Sequence, residues 1–239
     1  MKPLLIADLG LISWAEAYAL QQRAVAARKA GEIEDVFLLC EHPHVITLGR
    51  SANQANLLAS EHVLRQKGVE LHATNRGGDI TYHGPGQIVG YPILNLNYIK
   101  RDVGWYMRTL EEAMIRASTD FGVSAFRVPG KTGIWVKAGH KEEKLAAIGV
   151  HISRWVTSHG FAFNVSTDLR YFDLIIPCGI ADCKATSLEK LLGRSVSLEE
   201  VKPPLIQHLA ELFGFAPEAV SREHFLAQLD RFEQSPAGR

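Results

Sequence analysis

Apolar and polar positions along this 239-residue chain follow two rhythms, one of period two and one near the helical repeat. The opening run PLLIADLG reads as a short apolar strand that ends at a glycine. Ser13 and Glu16 have capping-box spacing, so a helix is expected from there to about Ala30, stopped by Gly31. DVFLLCEH and HVITLG read as strands on either side of a Pro43 turn, SEHVLRQKG as a short helix and VELHATN as a strand. The segment RGGDITYHGPGQ comes next, leading into the strand QIVGYPILNL. Asp102 is placed to cap the helix VGWYMRTLEEAMIRASTDFG, whose apolar residues recur at helical spacing.

Beyond that helix, SAFRVPGKTGIWVKAG and KLAAIGVHISRWVTSHGFAFNVS alternate strands with tight turns, as an antiparallel sheet does. DLIIP reads as an apolar strand ending at Pro177. The last third turns helical, with SLEKLLG, then SLEEVKPPLIQHLAELFGF opened by Ser197 and Glu200, then REHFLAQLDRFE. The tail from about residue 234 is expected to fray. No linker, repeat or low-complexity block divides the chain. The expected architecture is one α/β (α+β) domain over residues 1–239, a mixed, largely antiparallel sheet with packed helices.

Charge adds exclusions. Lys plus Arg and Asp plus Glu both number 26, so no net charge draws the chain toward nucleic acid or a membrane surface. The N-terminal apolar run has the look of a secretory leader, yet it carries Asp8 and Glu16 and lacks a small-residue cleavage site. No apolar stretch reaches the roughly 18–20 residues of a membrane span. The three cysteines, Cys40, Cys178 and Cys183, are too few for a disulfide framework, and a reducing cytoplasm is the expected compartment.

The glycine segment does not read as a phosphate loop. It has neither G-x-x-x-x-G-K-[ST] nor G-x-G-x-x-G before a helix, Pro85 removes an amide donor, and Asp79 would repel a phosphate. The plain alternative is a pair of turns at a sheet edge. The functional one is a groove kept open by Gly77 and Gly78 and closed by Tyr82 and His83, suited to an acyl chain.

Cys178 follows the apolar DLIIP run with Gly179 beside it, a corner that suits an exposed nucleophile. Most free cysteines are instead small buried hydrophobes. A thiol of ordinary pKa is only slightly ionised near neutral pH, so a nucleophile needs a base. His83, His159 and Lys144 are the candidates. Lys144 sits where a charged turn becomes an apolar strand, a setting that partly desolvates an amine; a solvated loop lysine is the alternative. His42 and His44, flanking Pro43, have no third ligand and read as turn residues. No metal and no cofactor are implied.

Taken in order, EHPHVITLGR, RGGDITYHGPGQIVGYPILNL, KLAAIGVHISRWVTSHGFAFNV and IIPCGI resemble the octanoyl-acyl carrier protein:protein octanoyltransferases of lipoate biosynthesis. The resemblance runs from about Leu5 to the C-terminal helices. It implies the fold of lipoate and biotin protein ligases and a cysteine/lysine dyad, with Cys178 as the acyl-thioester nucleophile and Lys144 as the residue that activates it. It places substrate contacts on Arg76, Gly77, Gly78, Asp79, Ile80, Thr81, Tyr82 and His83, on Ala147, Ile148 and Gly149, and on Gly160, Phe161 and Ala162. Asp79 stands where many members have glutamine, a change expected to alter groove polarity without abolishing activity. The implied donor is octanoyl-acyl carrier protein. The implied acceptors are lipoyl domains of 2-oxoacid dehydrogenase E2 subunits and the glycine cleavage H protein.

Two rival readings remain at this level. An ATP-dependent lipoate or biotin ligase would need a phosphate-binding loop and no cysteine, whereas this chain lacks a GRGRRG-like loop. A non-catalytic carrier or lipoyl-domain binding module would have no use for the dyad.

Overall fold

The computed structural model describes residues 1–177 and 184–235. β1 (Lys2–Leu11) and β2 (Val36–Glu41) obey the period-two rule on both faces. Leu4, Ile6, Phe37 and Leu39 join one core, while Leu5, Ala7, Leu38 and Cys40 join another. A sheet that is apolar on both sides must be covered on both sides. α1 (Trp14–Ala30) and α6 (Arg222–Gln234) cover one face through Leu20, Ala24, Phe225 and Leu229. α3 (Val103–Asp120) and α5 (Leu198–Phe213) cover the other through Leu110, Met114, Leu205 and Leu209.

The main sheet also contains β6 (Gln87–Ile93), β7 (Phe126–Val128), β8 (Lys131–Ala138), β9 (Lys141–Ser153), β10 (Val156–Asn164) and β12 (Phe215–Val220). Its order is β12-β1-β2-β6-β10-β9-β8-β7, and β11 (Lys184–Ala185) pairs with β9. The β12–β1, β1–β2 and β11–β9 pairs are parallel and the others antiparallel, so the sheet is mixed and largely antiparallel, as expected. A second sheet has β3 (Val45–Leu48) between β4 (Glu70–Ala73) and β5 (Ile80–His83).

Helix ends follow the sequence closely. The capping boxes of Ser13 with Glu16 and Ser197 with Glu200 are both formed, Asp102 accepts from Trp105 N at 2.8 Å, and Gly31 and Gly214 close their helices at φ 82° and 77°. α2 (Glu61–Gln66) and α4 (Leu188–Leu192) also stand where the polar punctuation puts them.

Three local expectations change. The DLIIP run is not a strand: residues Leu169–Leu174 wind into a 3-10 turn, nucleated by Asp168, whose carboxylate accepts from Arg170 N at 3.1 Å. Only Ile175 extends, bridging Leu57. The glycine segment contains a strand, β5. After Gly214 the chain adds β12 at the sheet edge, where Pro217 is tolerated. α6 continues to Gln234, and residues 236–239 of the expected frayed tail lie outside the described residues. Among the described residues no helix is long and apolar enough to cross a membrane.

Candidate active site

The glycine segment is clamped between the two sheets. Gly77 N donates to Val150 O at 2.8 Å on one side, while Gly49 N and Ser51 N donate to Asp79 O and Gly78 O at 3.0 and 3.1 Å on the other. Such close approach explains the glycines. A Cβ on Gly149 would stand 2.9 Å from Gly77 O, and one on Gly49 would collide with Gly78 O. Gly78 itself has φ +85°, in the left-handed region. Beneath the segment, the Arg76 guanidinium is buried and donates to Thr47 O at 2.7 Å, Thr47 Oγ1 at 2.9 Å and Gly77 O at 3.0 Å.

A groove opens where this segment meets β9 and β10, with about 520 Å³ of space including its mouth. Of the residues the sequence singles out, Arg76, Gly78, Asp79, Ile80, Thr81 and His83 line it from one side. Ala147, Ile148, Gly149, Gly160, Phe161 and Ala162 line it from the other. Gly77 instead lines an adjoining, larger cavity of about 930 Å³ including its mouth, shared with Val103, Met107, Lys131 and Lys144. Tyr82 faces away from the groove: its hydroxyl pairs with His44 Nδ1 at 2.7 Å and its ring stacks on Tyr171. Alternation on β5 separates it from Thr81 and His83. The sequence reading missed Trp14, Val89 and Tyr91, which also line the groove. In the sequence they look like ordinary core positions of α1 and β6, and no signal sets them apart.

The two histidines that line the groove are neutral. Burial pushes His83 down to about 3, with His42 and Arg76 adding to the effect, and its Nδ1–H donates to Gln87 Oε1 at 2.8 Å. His159 is likewise held at about 3, by burial first and by Arg76 second, and its Nε2–H donates to Asn75 Oδ1 at 2.7 Å. Imidazoles with so little proton affinity are poor bases at neutral pH. His42 is a core residue rather than a turn residue. It lies between Ile12 O and the Tyr91 hydroxyl, each at 2.7 Å, and burial holds it at about 4.

Lys144 lies on β9 and is only 6% exposed. Across the ladder it faces Trp135 of β8, with Nζ 4.7 Å from the ring centre, and on its other side it pairs with Ala185 of β11. It lines a narrow cavity with Thr81, Gln87, Ala147, Ala162, Asn164, Phe172, Pro177 and Ala185. Thr81, Ala147 and Ala162 also belong to the groove, so the two spaces adjoin. Cys178 and Cys183 lie outside the described residues. Cys40 is buried in the core, where burial pushes its thiol up and makes it unreactive.

Asp79 does not spend its charge on the groove. Both its carboxylate oxygens are engaged by residues 53–56 and by Ile80 N. Among the described residues no group of three or more His, Cys, Asp or Glu could hold a metal ion.

Residues 13–210 match the lipoyl protein ligase A/B catalytic domain. The chain is 52% identical to an octanoyltransferase of Solibacter usitatus over 215 residues, covering 90% of this chain and 95% of the relative. It is 54% identical to an octanoyltransferase of Acidobacterium capsulatum over 217 residues, covering 86% and 88%. Among solved structures it resembles a putative lipoate protein ligase of T. acidophilum with bound lipoic acid, with a TM-score of 0.71 at 16% identity over 98% of this chain and 95% of that one. A lipoate-protein ligase A bound with ATP gives a TM-score of 0.68 at 16% identity over 100% and 96%. At such identities the likeness is one of fold.

Proposed function

Because the chain belongs to the lipoyl protein ligase A/B catalytic-domain family and, within it, to the octanoyltransferases, we propose that it moves its octanoyl group through a thioester on Cys178, with Lys144 as the base. It is an acyltransferase of lipoate biosynthesis. One observation supports the dyad above others: Lys144, Pro177 and Ala185 line one cavity. The chain directly before Cys178 and the chain two residues after Cys183 therefore both meet the lysine. The weakly basic, hydrogen-bonded His83 and His159 leave Lys144 as the base that fits.

In this reading the Lys144 amine takes the Cys178 proton, and the sulfur attacks the thioester carbonyl of octanoyl-acyl carrier protein. The carbonyl oxygen becomes an oxyanion, then the carrier sulfur leaves and takes a proton from the Lys144 ammonium. A lysine amine on a lipoyl domain attacks the resulting acyl-enzyme. Its nitrogen loses a proton to Lys144, and the Cys178 sulfur leaves to be reprotonated. The first step exchanges one thioester for another, and the second replaces a thioester by a more stable amide, so no ATP is consumed. The β8–β9 ladder ends at the pair Ile134 and Ala146, so the next edge of β9, through Gly149, borders the cavities that meet Lys144. We assign the oxyanion to backbone amides of this segment, residues 147–149, and of the chain around Cys178. The octanoyl chain lies in the groove along Ile80, Val89, Ile148 and Phe161.

The acceptors proposed are lipoyl domains of 2-oxoacid dehydrogenase E2 subunits and the glycine cleavage H protein, in the cytoplasm. One catalytic domain over the whole chain performs both steps. Donor choice tests the reading. A lipoyl domain is incubated with enzyme and either octanoyl-acyl carrier protein or free octanoate plus ATP, and its mass is followed. Octanoylation from the carrier alone is expected; octanoylation only from octanoate plus ATP would overturn the mechanism.

A further inference from the structure

The carboxylate of Asp79 is held by three donors. Asn53 N and Ile80 N reach Oδ1 at 3.0 and 2.8 Å, and Asn56 Nδ2 reaches Oδ2 at 2.5 Å. Asn56 in turn offers its backbone carbonyl to Ile176 N at 2.7 Å. Leu57 bridges Ile175, and Leu58 N and Ala59 N both donate to Leu174 O, at 2.9 and 3.2 Å. Residues 53–59 thus form a strap. One end is fixed to the glycine segment by the Asp79 carboxylate, next to the backbone bonds that Gly49, Arg50 and Ser51 make to the same segment, and the other is hydrogen-bonded to the chain that leads into Pro177 and Cys178.

We propose that Asp79 is a positioning residue for the Cys178 thiol, acting through Asn56 and Ile176. It sets the register between the groove that takes the acyl chain and the chain segment, residues 174–176, that leads to the nucleophile. This rests on the reading of Cys178 as the nucleophile. The side-chain chemistry fits the task. A carboxylate only accepts, and here it meets two backbone N–H groups and one amide NH2, so the strap closes without an unpaired donor. Ile176 stands two residues before the thiol, and a thiol displaced by a fraction of a bond length loses its line of attack. Gly78 and Asp79 also line the groove, so a chain seated there bears on the same strap.

The test exchanges the two partners. Asp79→Asn keeps an oxygen for Asn53 N and Ile80 N but turns an NH2 group onto the NH2 of Asn56. We expect kcat with octanoyl-acyl carrier protein and the rate of iodoacetamide alkylation at Cys178, followed by peptide mass, both to fall about tenfold. KM is expected to stay within about twofold and the thermal midpoint to hold. In Asp79→Asn combined with Asn56→Asp, carboxylate and amide change places, and both rates should return to within about threefold of wild type. Wild-type rates in Asp79→Asn, or a loss that the exchange does not restore, overturn the proposal. If Asp79→Asn fails to fold, Asn56→Ala opens the strap from its other end: the same paired loss is expected, and unchanged rates overturn the proposal. Wild-type enzyme that gains no acyl group on Cys178 removes the nucleophile itself and this role with it. Wild type that acylates normally beside variants that do the same removes the role of Asp79 alone.

Discussion

Lys144 on β9 and Trp135 on β8 stand directly opposite one another across the ladder, with the lysine Nζ 4.7 Å from the centre of the indole ring. A ring face attracts an ammonium. In the proposed reaction that ion forms when Lys144 accepts the thiol proton, so the indole steadies the product of proton transfer. Lys144→Met keeps the side chain on the ring, where a thioether packs well, but removes the base. Transfer is expected to fall by about 10²–10⁴-fold and alkylation of Cys178 near neutral pH to slow, with little change in thermal midpoint. Unchanged alkylation removes Lys144 from its role.

Stability should depend on pH through the buried imidazoles. His42, His83 and His159 are held by burial at about 4, about 3 and about 3, below the ordinary histidine value near 6.5. Above about pH 6.5 both folded and unfolded chains are neutral at these sites, so nothing is lost. Below it the unfolded chain takes up protons that the native state refuses, and stability falls by up to about 1.4 kcal/mol per pH unit for each histidine. The urea midpoint is therefore expected to drop between about pH 7 and pH 5. A flat profile over that range contradicts the placement of these rings.

Much of this site was legible in the sequence, and the failures have physical causes. Capping residues such as Ser13, Asp102 and Ser197 act locally, so helix starts could be read directly. The apolar runs of β1 and β2 could likewise be read as strands, though their burial on both faces came only from the structure. Direction within the glycine segment was not readable. Whether Tyr82 or His83 faces the groove depends on the pairing of β5 with β3, which is a long-range register. The same holds for Asp79, whose partners Asn53 and Asn56 lie more than twenty residues away. β12 escaped because its pairing with β1 joins the two ends of the chain, and its proline argues against a strand.

Close backbone contact makes Gly149 a sensitive position. A methyl group there meets Gly77 O at 2.9 Å and Arg76 Cδ at 3.1 Å, so Gly149→Ala must push the glycine segment away from β9. The expected result is a loss of about 1–3 kcal/mol in stability. Octanoyl transfer is expected to fall by an order of magnitude or more. Wild-type stability and kcat/KM in this variant contradict the packing argument.

Chain length can be probed at Ala162, which lines both the groove and the cavity beside Lys144. Ala162→Leu fills that junction with about three extra carbons. The KM for octanoyl donors is expected to rise more than that for butyryl donors, because a longer chain needs more of the lost space; each blocked methylene costs about 0.8 kcal/mol of burial. An equal effect on both donors would place the chain elsewhere.

The central claim is that octanoate is carried on one sulfur. Its most direct test is intact mass after brief exposure to octanoyl-acyl carrier protein without acceptor, on wild type, Cys178→Ala and Cys183→Ala. Wild type and Cys183→Ala are expected to gain one octanoyl group that a lipoyl domain then removes, and Cys178→Ala to gain none. Acyl transfer by Cys178→Ala at the wild-type rate, or a wild-type enzyme that transfers without ever gaining mass, contradicts the account.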